Sequence, residues 1–284
     1  MTLILRKCWK DGSSSNNFYY GKVGERVTCP DWSSQSICGN GLHGLKEGNG
    51  DWELLVGDDW LVIEADDQIV DIDNDKSKFN TGIILFRGTR EQLARSEYKF
   101  KFKLNEKSAY EWAKYIGNRK EMLKKIESEK YAYLWARYIG NRDVMIKKIK
   151  SDEWAYWWAR YVGNKKEMIK KIIDSQYAYG WALNIGNKKE MINKINDSKY
   201  AFQWALNIGN RDVMINKIND SECAFKWALN IGNYDIMIHK ITDSFAAYWW
   251  SIYIGNHDIM KPKITEEYWI KKWNEKYPDN RIER

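Results

Sequence analysis

Residues Tyr131–Glu153 read YAYLWARYIGNRDVMIKKIKSDE, and variants of this 23-residue string follow one another seven times between Ser108 and Tyr268. Tryptophan marks the register at Trp112, Trp135, Trp158, Trp181, Trp204, Trp227 and Trp250. A Gly-Asn pair recurs in step, from Gly117-Asn118 to Gly255-Asn256, and every methionine after Met1 falls in one column, Met122 to Met260. A short fixed period of this kind belongs to stacked supersecondary units, none of which can bury its apolar face alone.

Inside the specimen unit, Ala132, Trp135, Ala136 and Ile139 stand at i, i+3, i+4 and i+7, which predicts one face of a helix. Gly140 is expected to end that helix in the left-handed conformation, and Asn141 to cap the next one. Where the unit reads Asn118-Arg119-Lys120-Glu121, the Glu completes a capping box. The second helix carries Met145, Ile146 and Ile149 and ends in Lys147-Lys148, charges that suit a helix C-terminus. Asp-Ser pairs such as Asp174-Ser175 and Asp197-Ser198 are expected to cap the first helix of the following unit. Helices of two or three turns are marginal alone and need stacking. The invariant Ala, Trp and Met columns are read as core, with Ala permitting close approach and Met filling irregular gaps. The lysine column, Lys125 through Lys263 at the same spacing, is read as C-terminal capping with a snorkelling stem, or else as a charged rail.

The predicted architecture is therefore an α+β head domain over residues 1–107, an all-α solenoid of seven 23-residue helical hairpins over 108–268, and a cap and tail over 269–284. Pro262 is expected to interrupt the second helix of the seventh unit. Tyr268-Trp269-Ile270 with Trp273 is expected to fold back over it.

In the head, Leu3-Ile4-Leu5, Phe18-Tyr19-Tyr20 with Val23 and Val27, Trp60-Leu61-Val62-Ile63, Ile69-Val70-Asp71-Ile72 and Gly82-Ile83-Ile84-Leu85-Phe86 read as strands. Asp11 to Asn17 is a loop, Gly39-Asn40-Gly41 a turn, and Thr89 with Gln92 a capping box. The acidic residues Asp66, Asp67, Asp71, Asp73 and Asp75 lack the Gly and closing Glu of a calcium loop and are read as a solvated hairpin. Cys8, Cys29, Cys38 and Cys223 show no C-x-x-C pairing. The first three could join in a disulfide or, with His43, a three-ligand metal site, but reduced thiols are the reading adopted, with no metal and no cofactor.

Cys38-Gly39-Asn40-Gly41-Leu42-His43, then Trp60 to Glu64, then Lys78-Phe79 and Ile83 to Phe86, resembles a small uncharacterised domain of phage, giant-virus and mobile-element proteins with a C-x-x-G-[LF]-H signature. The likeness covers roughly residues 18–95. It departs from the pattern at Gly44-Leu45, where relatives often carry a small residue and another cysteine. The resemblance implies a viral or mobile-element origin, and with it a counter-defence role in the host cytoplasm.

The net charge of +7 is unevenly placed. Residues 1–107 hold 15 Lys/Arg against 17 Asp/Glu, whereas the first four repeats carry nine positive charges in excess. That is a localised field. Two adjacent columns read Lys114-Tyr115, Arg137-Tyr138 and Arg160-Tyr161 in the first three units, then Leu183-Asn184, Leu206-Asn207 and Leu229-Asn230. With Trp157, and with Arg119, Arg142 and Lys165 at the turns, the early units present basic side chains interleaved with aromatics. Such a surface suits a nucleotide or nucleic acid, or an acidic protein partner. No apolar run approaches the ~20 residues of a membrane span and no signal segment opens the chain, so a cytoplasmic protein is expected.

These features favour a non-enzymatic binding protein that captures an anionic ligand or host protein, as an inhibitor or sponge. One alternative is a nucleotide-directed transferase or hydrolase in the head, with Cys38 and His43 as a pair and Asp51 or Glu53 orienting the imidazole. Another is a plain RNA or single-strand DNA binder.

Overall fold

Apolar residues alternating with polar ones in the first ninety positions produce strands that share one antiparallel sheet. In the computed structural model, which describes residues 2–14, 18–72 and 76–283, these are β1 (Thr2–Cys8), β2 (Arg26–Thr28), β3 (Leu42–Lys46), β4 (Asp59–Ala65), β5 (Ile69–Asp71), β6 (Ser77–Phe79) and β7 (Thr81–Gly88). Their order is β2-β7-β4-β1-β3-β6-β5, and every pairing is antiparallel. The sheet curls into a half-barrel around Ile4, Tyr20, Leu42, Leu61, Ile63, Phe79 and Ile84. Phe18–Tyr20 is not a ladder strand: it forms only an isolated bridge, Ser13 to Tyr19. The Thr89 capping box is present, with Thr89 accepting from the Gln92 N–H and the Gln92 side chain reaching back. Asp66 pairs with Arg26, and Asp71 with Lys46 and Ser77. Asp73, Asp75 and the stretch 15–17 lie outside the described residues.

The chain divides into two compact units, residues 1–149 and 150–284. Within the first unit, Trp52 is one of the contacts between sheet and helices. It lies edge-on to Trp112 at 6.0 Å between ring centroids and stacks on Tyr115 at 6.2 Å, joining the sheet to the first helices.

Past residue 105 the chain is helical, and the 23-residue register is visible in both units. A first helix of ten or eleven residues, such as Glu129–Tyr138 or Ser198–Asn207, is followed by a single α-turn and then a 3₁₀ turn, as in Arg142–Met145 and Ile146–Lys148. The second helix is thus shorter than its apolar pattern predicts. The seven register tryptophans are completely buried, as is Trp273, which stands one further period along in the helix Glu267–Lys276. The C-terminal segment therefore continues the tryptophan register. Pro262 interrupts nothing: it sits near the start of a 3₁₀ turn, Lys261–Lys263, where the other repeats have one too.

The Gly-Asn pair works differently from a simple cap. Each glycine has φ between 103° and 128°, each asparagine has φ between 50° and 60°, and no asparagine side chain caps the following helix. Where the asparagine side chain is engaged, it accepts from the core: the indole N–H donates to the carboxamide oxygen in Trp112–Asn118 (3.1 Å) and Trp227–Asn233 (3.3 Å). Trp250 Nε1 lies 3.5 Å from Asn256 Oδ1, and the indole N–H groups of Trp135, Trp158, Trp181 and Trp204 are buried without a partner; Asn118 also donates to the Ala94 carbonyl. The capping box at Asn118–Glu121 does not form.

Successive repeats are tied by side chains to backbone. In unit 2, Lys194, Lys217, Lys240 and Lys263 each donate to an isoleucine carbonyl of the repeat before, at 2.6–2.7 Å. The lysine column is a set of staples. Ser175, Ser198, Ser221 and Ser244 accept from backbone N–H groups of the next repeat at 2.8–2.9 Å. In the earlier repeats an acidic residue fills the same column: Glu106 accepts from Glu127 and Ser128, and Asp152 from Ile173 and Asp174. The neighbouring cap column changes in the opposite sense, from Asn105 and Ser128 to Asp174, Asp197, Asp220 and Asp243. One acceptor caps its own helix and the other serves the next unit.

Asn233→Ala is expected to destabilise the fold by about 1–2 kcal/mol, the cost of a non-glycine residue in the left-handed region plus an orphaned indole. Asn233→Gly should cost less because only the indole partner is removed. Urea unfolding of the two variants measures the difference.

Candidate functional site

Two sets of side chains carry chemistry, one on the helices and one in the head. On the helices, Lys114, Arg137 and Arg160 occupy the last turn of the first helix in the first three repeats, each one position before an exposed or half-exposed tyrosine. Arg137 donates to the Tyr133 hydroxyl at 2.5 Å, and its guanidinium lies 5.9 Å from the Tyr133 ring and 5.1 Å from the Tyr138 ring. In unit 2, Arg160 repeats the arrangement, donating to the Tyr156 hydroxyl at 2.8 Å and lying 5.9 Å from Trp157 and 5.3 Å from Tyr161. Trp157 and Tyr161 stack at 5.7 Å with ring planes 12° apart. Both arginines are exposed, and Tyr138 and Tyr161 are 59% and 43% exposed, so planar faces and guanidinium edges meet solvent together.

Lys114 differs. Its ammonium donates to the Tyr115 hydroxyl at 3.1 Å and lies 3.9 Å from Glu111, a half-buried carboxyl whose pKa burial raises. Tyr115 is stacked on Trp52. Lys114 and Tyr115 thus belong to the joint between sheet and helices. Arg119, Arg142 and Lys165 open the short second helices and are exposed, apart from these aromatic clusters. The sequence reading missed Tyr133 and Tyr156, the tyrosines that orient the arginines. The signal was present, since each stands four residues before its arginine, one helical turn away.

In the head, the Cys38–His43 segment is laid out by a buried lysine. Lys78 on β6 is completely buried, and its ammonium donates to the carbonyls of Ile37 and Gly39 at 3.1 and 3.2 Å. Gly41 must be glycine because a Cβ there would stand 2.9 Å from the Lys78 side chain. Gly39 and Asn40, both at positive φ, complete the turn that delivers Leu42 to the core and His43 to a cavity wall.

That cavity, about 230 Å³, is lined by the polar side chains of Arg6, Cys38, His43 and Lys76 and by the apolar ones of Leu45, Leu54, Leu55 and Val56. Cys38 is exposed, with the Lys76 ammonium 3.3 Å from its sulfur. Asp51 does not orient His43: its carboxylate accepts from the Glu53 N–H and caps a 3₁₀ turn, and neither residue lines the cavity. Burial, and then the positive charges of Arg6, Lys76 and Lys78, bring the His43 pKa down to about 4, with Asp31 opposing. A neutral imidazole at pH 7 is a hydrogen-bonding group there and a weak general base.

All four cysteines are free thiols. Among the described residues no cluster of His, Cys, Asp and Glu could hold a metal ion, and no helix is long and apolar enough to cross a membrane. Comparison of the chain with protein-family models, curated proteins and solved structures returns no match, so the likeness of residues 18–95 to phage and giant-virus domains gains no support from them.

Because His43 has a lower pKa folded than its ordinary 6.5, the folded state is at full advantage above pH 6.5 and loses it as pH falls toward 4. His43→Gln is expected to lose less melting temperature than wild type across that window. Melting curves of both proteins from pH 7 to 4 check this; parallel curves would contradict the burial of a neutral imidazole.

Proposed function

We propose that this chain is a non-enzymatic binding protein whose 23-residue units form a seven-hairpin solenoid, and that its arginine–tyrosine clusters capture a phosphate-bearing ligand with bases to stack. The observation that carries the reading is the twofold recurrence of one constellation: an exposed guanidinium held by a tyrosine hydroxyl one turn back, flanked by exposed rings at Arg137 and Arg160. A guanidinium so held is pre-oriented, which lowers the entropy given up on binding. Adjacent aromatic faces accept bases without sequence preference. A single-stranded nucleic acid or nucleotide fits this chemistry better than an acidic protein surface, for which the exposed rings would have no counterpart. A sequestering role as inhibitor or sponge requires only such capture.

The alternative of head-domain chemistry draws on one observation, the Lys76 ammonium beside the exposed Cys38 thiol in the cavity that His43 lines. The depressed His43 pKa weighs against that imidazole as the base.

Arg137→Ala combined with Arg160→Ala is expected to weaken binding of a fluorescent single-stranded oligonucleotide at least tenfold. It should also flatten the slope of log Kd against log salt by about 0.7 for each phosphate that is no longer neutralised. Lysine at both positions should restore the slope and only part of the affinity. Unchanged binding in the double alanine variant would sink the proposal.

A further inference from the structure

A second cavity of the head, about 280 Å³, shares Arg6, Gly39 and His43 with the first and extends toward Ser14, Tyr20 and Cys29. Its wall concentrates polar atoms that find nothing to bond. Among the described residues, the Tyr20 hydroxyl, the Ser14 hydroxyl, Arg6 Nε and His43 Nε2 are all buried without a hydrogen-bond partner. Tyr20 is completely buried and Ser14 is 5% exposed. Buried polar groups in a folded protein are nearly always paired; Ser108, Glu111 and four tryptophan indoles of the helices are also unpaired, but these four are set apart because their residues line one cavity, where acceptor atoms could sit.

The wall is also built to stay in place. Arg6 donates through Nη1 to the His43 carbonyl, and its guanidinium lies 4.9 Å from the Tyr20 ring. The Tyr20 segment is pinned from behind by Arg87, which donates to the Tyr20 and Gly21 carbonyls at 3.2 and 3.3 Å and pairs with Asp59. Arg6 supplies a donor that cannot accept, and the two hydroxyls can each donate. Lys76 and Lys78 add positive potential at His43. The one carboxylate on the wall, Asp31, is engaged by the Cys29 thiol at 3.0 Å. Donors converging under positive charge call for an oxyanion. The adjoining lobe, with its leucines and Val56, calls for an apolar or planar body attached to it.

We propose that the half-barrel binds a small phosphate monoester, nucleotide in size, with its phosphate on Arg6, Ser14 and Tyr20 and its organic group in the leucine-lined lobe beyond His43. This site is separate from the arginine–tyrosine clusters of the helices and stands whether or not they bind a ligand.

The probes are inorganic phosphate and adenosine 5′-monophosphate, titrated calorimetrically into the full chain and its variants. Both should bind wild type, the ester more tightly. Tyr20→Phe, which removes one oxygen and no packing, should weaken both at least tenfold, and Arg6→Met at least a hundredfold. Without ligand, Tyr20→Phe should melt no lower than wild type, because it removes an orphaned hydroxyl; a lower melting point would assign that hydroxyl a structural partner and overturn the proposal. Arg137→Ala with Arg160→Ala should bind both probes as wild type does, which separates this site from the helical one. Absence of binding at millimolar probe, equal affinity in Tyr20→Phe, or binding of phosphate with exclusion of the ester would each overturn the assignment.

Discussion

Burial of one tryptophan per 23 residues is the constraint on which the helical part of this protein depends. A ten-residue helix and a seven-residue helical turn cannot hold themselves in water, because nucleation costs more than so few hydrogen bonds return. Each indole, completely buried between the helices of its repeat, supplies the apolar area that such short elements lack. The price is a buried N–H, and the residue that meets it, where it is met, is the left-handed asparagine of the turn. That pairing, six residues apart, links Trp112, Trp227 and Trp250 to their asparagines, while the indoles of Trp135, Trp158, Trp181 and Trp204 carry the desolvation cost unpaired.

A related constraint governs the joins between repeats. Each repeat ends in backbone groups that a short helix leaves unpaired, and within each compact unit neighbouring repeats provide side chains for them. Lysines reach back to isoleucine carbonyls, while serines or carboxylates accept from amides of the unit ahead. The exchange of Ser-Glu or Ser-Asp for Asp-Ser at the helix start leaves this pattern intact, since a carboxylate and a hydroxyl simply trade the two acceptor roles. Charge at that edge can thus vary along the chain without loosening it. Past Lys114, which belongs to the joint with the sheet, the basic column is free of these tying roles, with tyrosine-oriented arginines at Arg137 and Arg160 and plain leucines in the next three repeats.

In the head, the same physics runs through a buried charge. Lys78 has carbonyls in place of a carboxylate, and those carbonyls belong to the turn that positions His43. A lysine so placed costs desolvation that a buried aliphatic residue would not. What it contributes is a rigid loop and a positive potential beside a cavity whose polar walls are unsatisfied.

The repeat, its register and its core columns were legible in the sequence because a 23-residue period repeated over 161 positions leaves no other packing for the tryptophans. The capping box at Thr89 and the strand runs at Leu3–Leu5 and Trp60–Ile63 were legible for the same reason: local spacing dictates local structure. Other features could be decided only by the tertiary structure. The asparagine's partner is a core indole, and the lysine's partner is a carbonyl 22 residues away. Trp52, at the start of a short 3₁₀ turn, packs the sheet against the first repeat. Arg6, Ser14, Tyr20 and His43 come from four separate segments with no shared spacing. Only the curl of the sheet brings them to one wall, and no period or motif in a linear chain can express that.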